Sequence, residues 1–193
     1  MTDSKPLRAD ARRNRARVLE AAESVFAARG TSAPTEEVAR AAGVGVGTVF
    51  RHFPTKEELL KAVLLHRLHS FADQAEAVVA ANSPDPGGAF FEFLDGWIEM
   101  SGAKNAYFEA LSAAGIEIPA TGSVVGARLI ESLGVLLGRA QAAGAARQDL
   151  SAEELIPVIV GTAKAVEYVG ADLARRARTV AIMFDALRPP ARL

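Results

Sequence analysis

The sequence predicts an all-α fold in two parts: a small N-terminal helix-turn-helix domain and a larger helical domain behind it. Three observations predict it. Half of the 193 residues are hydrophobic and 23% are charged, so an ordered core is expected. Alanine and leucine dominate, and no β-branched run alternates with period two. Glycine- and proline-containing breaks recur at helix-length intervals.

Residues 1–10 read as a mobile tail. A first helix is expected over 11–29, with Val18, Leu19, Ala22, Val25 and Phe26 on one face and Gly30 at its end. Thr35 is expected to cap a second, short helix ending at Gly43, with Glu36 and Glu37 in its first turn. A third helix runs from Gly45 or Val46 to Phe53. Thr55 and Glu58 form a capping box at the start of a fourth, which continues toward Ala81. Asn82–Gly88 (NSPDPGG) is a loop. Further helices are expected at 89–101, 105–114, 121–143, 151–169 and 171–188. Ser151 and Glu154 make a second capping box, and Pro157 lies inside the helix it starts.

Composition also excludes functions. There is no cysteine, which removes disulfides, thiolate nucleophiles and cysteine-ligated metals and fits a cytoplasmic location. The N-terminus lacks the apolar segment of a signal peptide, and no run of about 18 uncharged apolar residues suggests a membrane span. The net charge of −1 is unevenly spread. Residues 1–67 carry 12 Lys+Arg against 8 Asp+Glu, while residues 68–193 carry 10 against 15. A basic lobe is what a polyanion binder needs.

Residues 35–53, TEEVARAAGVGVGTVFRHF, hold the most information. Two short helices joined by a tight glycine-containing turn make the helix-turn-helix plan. Ala39 is small where the helices cross, Gly43 suits positive φ, and Val44 and Val49 fill the space between them. The outer face of the second helix holds Gly45, Val46, Gly47, Thr48, Arg51 and His52. Small residues admit a close surface, and the polar ones can hydrogen-bond base edges or phosphates. On spacing alone, a tight structural turn between packed helices explains the segment equally well. Lys56 shifts that balance, because the dipole disfavours a cation in the first turn of a helix and a phosphate there would be held by amides and ammonium together; a solvated surface lysine, costing only some tenths of a kcal/mol, is the alternative.

From Arg13 to Leu60 the sequence resembles a TetR-family transcriptional regulator. RVLEAAESVFAARG, the Thr35–Gly43 helix and GVGVGTVFRHFPTKEELL carry the resemblance. It implies phosphate contacts at Thr35 and Lys56, and a recognition helix with Gly45, Val46, Thr48 and Arg51, closed by His52. Phe50 stands where a tyrosine often meets phosphate, and here the hydroxyl is missing. Arg12, Arg13, Arg15 and Arg17 are placed for phosphate or minor-groove contacts, or are simply solvated. The resemblance further implies a homodimeric repressor on an inverted-repeat operator, a small apolar or amphipathic inducer, and no cofactor. It divides the chain into a DNA-binding domain over 1–55 and a regulatory and dimerisation domain over 56–193.

The C-terminal part supports this by pattern only. Ile156, Ile159, Val160, Ala163 and Val166, with Gly161 and Ala165, form one stripe; Leu173, Ala177, Val180, Phe184 and Leu187 form another. They face a partner copy or the protomer's own core. Phe90, Phe93, Trp97, Met100, Tyr107 and Phe108, beside Phe91, are the expected ligand lining, although aromatics at helical spacing also serve as core. His66, His69 and Asp73 share a helix face, which is weak grounds for a metal site, and no nucleophile elbow or phosphate loop is present. An enzyme is therefore not expected. The competing reading is a helical protein–protein adaptor without operator binding.

Overall fold

The computed structural model describes residues 4–116 and 124–190. Among these it forms eight α-helices and no strand: α1 (Ser4–Arg29), α2 (Thr35–Ala42), α3 (Val46–His52), α4 (Lys56–Ala81), α5 (Pro86–Ala113), α6 (Val124–Ala142), α7 (Ala152–Val169) and α8 (Leu173–Leu187).

Several boundaries differ from expectation for identifiable reasons. The tail expected over 1–10 is helical from Ser4, and Pro6 falls in the first turn, where its missing N–H costs no hydrogen bond. The loop ends at Asp85, whose carboxylate accepts the Gly88 N–H at 2.9 Å, and Pro86 takes the first helical position. The two helices expected over 89–101 and 105–114 are one. Gly102 costs only about 1 kcal/mol in a helix, and the buried Ile98, Met100, Tyr107 and Leu111 on either side outweigh it. α5 is followed by Gly115 with φ +74°, and residues 117–123, which include the expected start of the helix at 121, lie outside the described residues. Ser151 and Glu154 form the expected capping box in both directions. At α8 the cap is Asp172, accepting the Arg175 N–H at 3.0 Å.

The chain divides into two compact units, Met1–Arg67 with Ala106–Ile118, and Leu68–Asn105 with Pro119–Leu193. This division falls within α4 and α5. In the first unit, Val18, Phe26, Val38, Val49, Leu59 and Val63 form a closed core. The Tyr107 ring meets Phe26 edge to face at 6.4 Å, and burial pushes the Tyr107 hydroxyl above the usual phenol range. Arg67 and Glu23, 3.7 Å apart, link α4 to α1. Arg15 and Arg17 are not free side chains of a tail. The Arg15 guanidinium lies 4.9 Å over the Phe53 ring, and Arg17 donates to the Ala42 carbonyl at 3.2 Å. Arg13 pairs with Asp10.

The second unit is built on Phe90, Leu94, Leu133, Leu136, Leu155 and Ile159. Phe71 and Phe93 stack at 5.6 Å, and Trp97 meets both edge to face. Arg128 of α6 grips α4, donating to Glu76 at 2.6 and 2.8 Å and to Asp73 at 2.6 Å. The Arg128 guanidinium holds the Glu76 carboxyl below the usual carboxylate range. Arg139 adds a bond to the Val79 carbonyl at 2.7 Å.

Candidate nucleic-acid interface

The sharp turn between α2 and α3 is set by Gly43, whose φ of +65° is a left-handed cap that glycine adopts without penalty. Its N–H reaches the Arg40 carbonyl at 3.2 Å, and the Val44 N–H reaches Ala39 at 3.0 Å. Ala39 is buried at the crossing, as its size predicts. Val49 is fully buried and Phe53 almost so, which fixes the inner side of α3. Val44 is only half-buried.

The outer side follows from that anchoring. Gly45, Gly47 and Arg51 are exposed; Val46, Thr48 and His52 are half-exposed. Phe50 points outward with 41% of its surface exposed. With no hydroxyl and no packing niche, it presents an apolar ring on the same exposed face as Arg51. Among the described residues no hydrogen bond or ion pair occupies the side chains of Thr48, Arg51 or Lys56.

Thr35 departs from its expected role. Pro34, with φ −71° and ψ 149°, takes the cap position of α2, and no side chain caps that helix. Thr35 is the first helical residue and is only 7% exposed. Gly45 likewise precedes α3 with no side-chain cap. Both helices therefore begin with amides that no capping side chain has satisfied. α4 differs, because Thr55 Oγ1 accepts the Glu58 N–H at 3.1 Å and leaves Lys56 in the first turn, half-exposed.

The six residues expected to line a ligand site divide between the two units. Phe90, Phe93, Trp97 and Met100 belong to the core of the second unit, each at most 9% exposed. Tyr107 and Phe108 belong to the first unit, with Tyr107 buried and Phe108 half-buried. Phe93 also borders an open cleft, beside Phe71, Val78 and Gly96. Among the described residues, no group of three or more His, Asp or Glu side chains is placed to hold a metal. Nor is any helix among them long and apolar enough to cross a membrane.

Two family models match the chain. One, bacterial regulatory proteins of the tetR family, covers residues 18–63; the other, the C-terminal domain of SbtR-like transcriptional regulators, covers residues 85–189. The second match alone spans more than half of the sequence. The chain belongs to the TetR family. The TetR transcription regulatory protein from Mycobacterium vanbaalenii is 38% identical, with 95% of this chain and 100% of that one aligned at a TM-score of 0.71. The TetR regulator SCO0520 from Streptomyces coelicolor is 29% identical over 92% of this chain and 99% of that one, with a TM-score of 0.72. The HTH-type transcriptional regulator SrpR of Pseudomonas putida is 47% identical over 62 residues, which are 32% of this chain and 29% of that protein. The chain spans less than half the length of the curated relatives it matches, 46% of TtgW and 41% of TtgR among them. Membership of the TetR family makes the protein a DNA-binding transcriptional regulator with an N-terminal helix-turn-helix and a helical C-terminal domain.

Proposed function

We propose that the chain is a repressor that binds an inverted-repeat operator as a homodimer and leaves it when a small apolar or amphipathic ligand binds. A DNA partner places its work in the cytoplasm. Residues 1–55 read DNA, and residues 56–193 dimerise and sense. The observation that carries this reading is the outward face of α3, where Thr48, Phe50 and Arg51 stand clear of the core beside two uncapped helix starts. Thr48 and Arg51 address base edges, with Gly45, Val46 and Gly47 admitting the groove wall. The amide at Thr35, the Lys56 ammonium and His52 address phosphate, and Phe50 supplies apolar contact. In the dimer the two recognition helices enter successive major grooves about 34–36 Å apart.

Dimerisation is assigned to α7 and α8. Ile159, Ala163 and Val166 are buried within the protomer, so they serve its own core. Val158, Gly161, Ala165 and Tyr168 recur at i, i+3, i+7 and i+10 on the opposite side of α7 and are all exposed. Release is assigned to α4, one unbroken helix with Lys56 at its start and Asp73 and Glu76, the partners of Arg128, in its second half. A coupling of about 1–3 kcal/mol between ligand and DNA changes operator affinity some five- to 150-fold.

Selection of bound fragments from the organism's own genome gives the operator, and salt titrations on it test the roles. Lys56→Ala should weaken binding to every sequence alike and reduce the salt slope by about one. Arg51→Ala should cost about 1–3 kcal/mol on the selected site and relax preference at one position of each half-site. An unchanged preference after Arg51→Ala removes the base-reading assignment. No selective binding at any salt concentration removes the operator itself.

A further inference from the structure

The outward side of α3 carries an apolar pair. Val46 and Phe50 stand four residues apart, so their side chains lie one above the other on the same helix face, with Cβ atoms about 5–6 Å apart. Val46 is half-buried and Phe50 is exposed. Val49 and Phe53 already fill the space beneath α3, so the Phe50 ring is not needed there. Among the described residues no aromatic or cation–π contact holds that ring.

Gly47 points the same way. It lies inside α3 without the positive φ that makes glycine necessary at Gly43. A Cβ at this position meets nothing within 4 Å. Glycine inside a helix is destabilising relative to alanine, and no neighbour in the protomer accounts for that loss. The missing side chain instead leaves room for a surface that approaches the backbone from outside.

That surface is known in kind, because the chain is a DNA-binding regulator of the TetR family. In the major groove the base edges present hydrogen-bonding groups and one apolar group, the thymine C5 methyl. The side chains of Val46 and Phe50 neither donate nor accept hydrogen bonds. Set against polar base edges they strip water without replacing its bonds, whereas against a methyl they bury apolar surface.

We propose that Val46 and Phe50 read a thymine C5 methyl group in each half-site, with Gly47 letting the helix come close enough for the contact. The proposal rests on the base-reading role of the outward face of α3 and adds the base that its apolar pair selects.

Deoxyuridine pairs as thymine does and lacks only that methyl. The probe is the site recovered by genomic fragment selection, synthesised once with thymine and once with deoxyuridine, and fluorescence anisotropy reads its affinity for the full chain. Loss of one methyl contact is expected to weaken binding about fourfold for a half-site and about 15-fold for an operator with two. Replacement one position at a time should locate the loss at the same thymine of each half-site. The double variant Val46→Ala, Phe50→Ala should bind the two forms alike. Gly47→Ala should lose operator affinity while its thermal midpoint stays level or rises, a combination that damage to the fold does not give. Equal affinity of the parent chain for the two forms overturns the proposal; if Phe50→Ala then weakens both forms, the ring packs on deoxyribose. Discrimination that survives in the double variant overturns it too, by placing the methyl contact elsewhere, and full operator affinity in Gly47→Ala overturns the close approach. These results leave the operator reading standing. Failure to recover any selective site removes the operator reading and this proposal together.

Discussion

Tyr168→Asp combined with Ile182→Asp should convert the protein from dimer to monomer and lower affinity for the complete operator by about 10²–10⁴. In the single chain Tyr168 is 94% exposed and Ile182 56%, so neither contributes much to folding the protomer. A single exposed apolar side chain is ordinary on a surface, but a continuous exposed apolar stripe marks a partner's face. The stripe through Val158, Gly161, Ala165 and Tyr168 continues the argument, because small residues at two of its four positions let a second helix approach closely. Two half-sites held by one dimer bind with an effective concentration that separate monomers lack, and that is where the large loss arises. Affinity for an isolated half-site should be unchanged, since α2, α3 and Lys56 are untouched. Analytical ultracentrifugation reads the mass, and titration against whole and half operators reads the two affinities. A variant that stays dimeric with full operator affinity shows that another surface makes the dimer.

The helix-turn-helix was legible because its signals are local. Gly43 has to adopt positive φ, Ala39 has to be small, and Val49 and Phe53 share an inner face four residues apart. None of these needs a distant residue to explain it. The error at Thr35 has the same local origin. Threonine is a favoured cap by type, but a proline immediately before it already holds the extended conformation of the cap position, so Thr35 enters the helix instead. Joining 89–101 to 105–114 depended on burial along α5 around Gly102, which propensity alone does not contain.

Long-range features were not legible at all. Arg128 meets Asp73 and Glu76 across separations of 55 and 52 residues, with no periodicity to connect them. Asp95 and Glu99 are visible as residues, but the cleft they line exists only because α7 and α8 supply its opposite wall. The turn from α2 into α3 is thus an intrinsic property of one short segment. A cleft is a property of several helices packed together.

Phe90→Ala should lower the stability of the second unit by about 3–5 kcal/mol in the absence of any ligand. Phe90 is fully buried, packs edge to face against Phe91 at 5.1 Å, and lies among Leu94, Leu133 and Leu136 in a closed core. Removing the ring leaves a cavity that rigid helices on several sides cannot fill by collapse. The same substitution separates the two meanings that aromatic spacing allows. A ring that packs the core loses stability when truncated, whether or not a ligand exists. A ring that lines a ligand site loses ligand affinity and leaves the unfolding midpoint near that of the parent. Trp97, the single tryptophan, makes the measurement direct: it is 8% exposed and packed against Phe71 and Phe93, so its fluorescence follows unfolding of this core. A denaturant midpoint within experimental error of the parent after Phe90→Ala returns the aromatic cluster to the ligand site. A large shift fixes it as core.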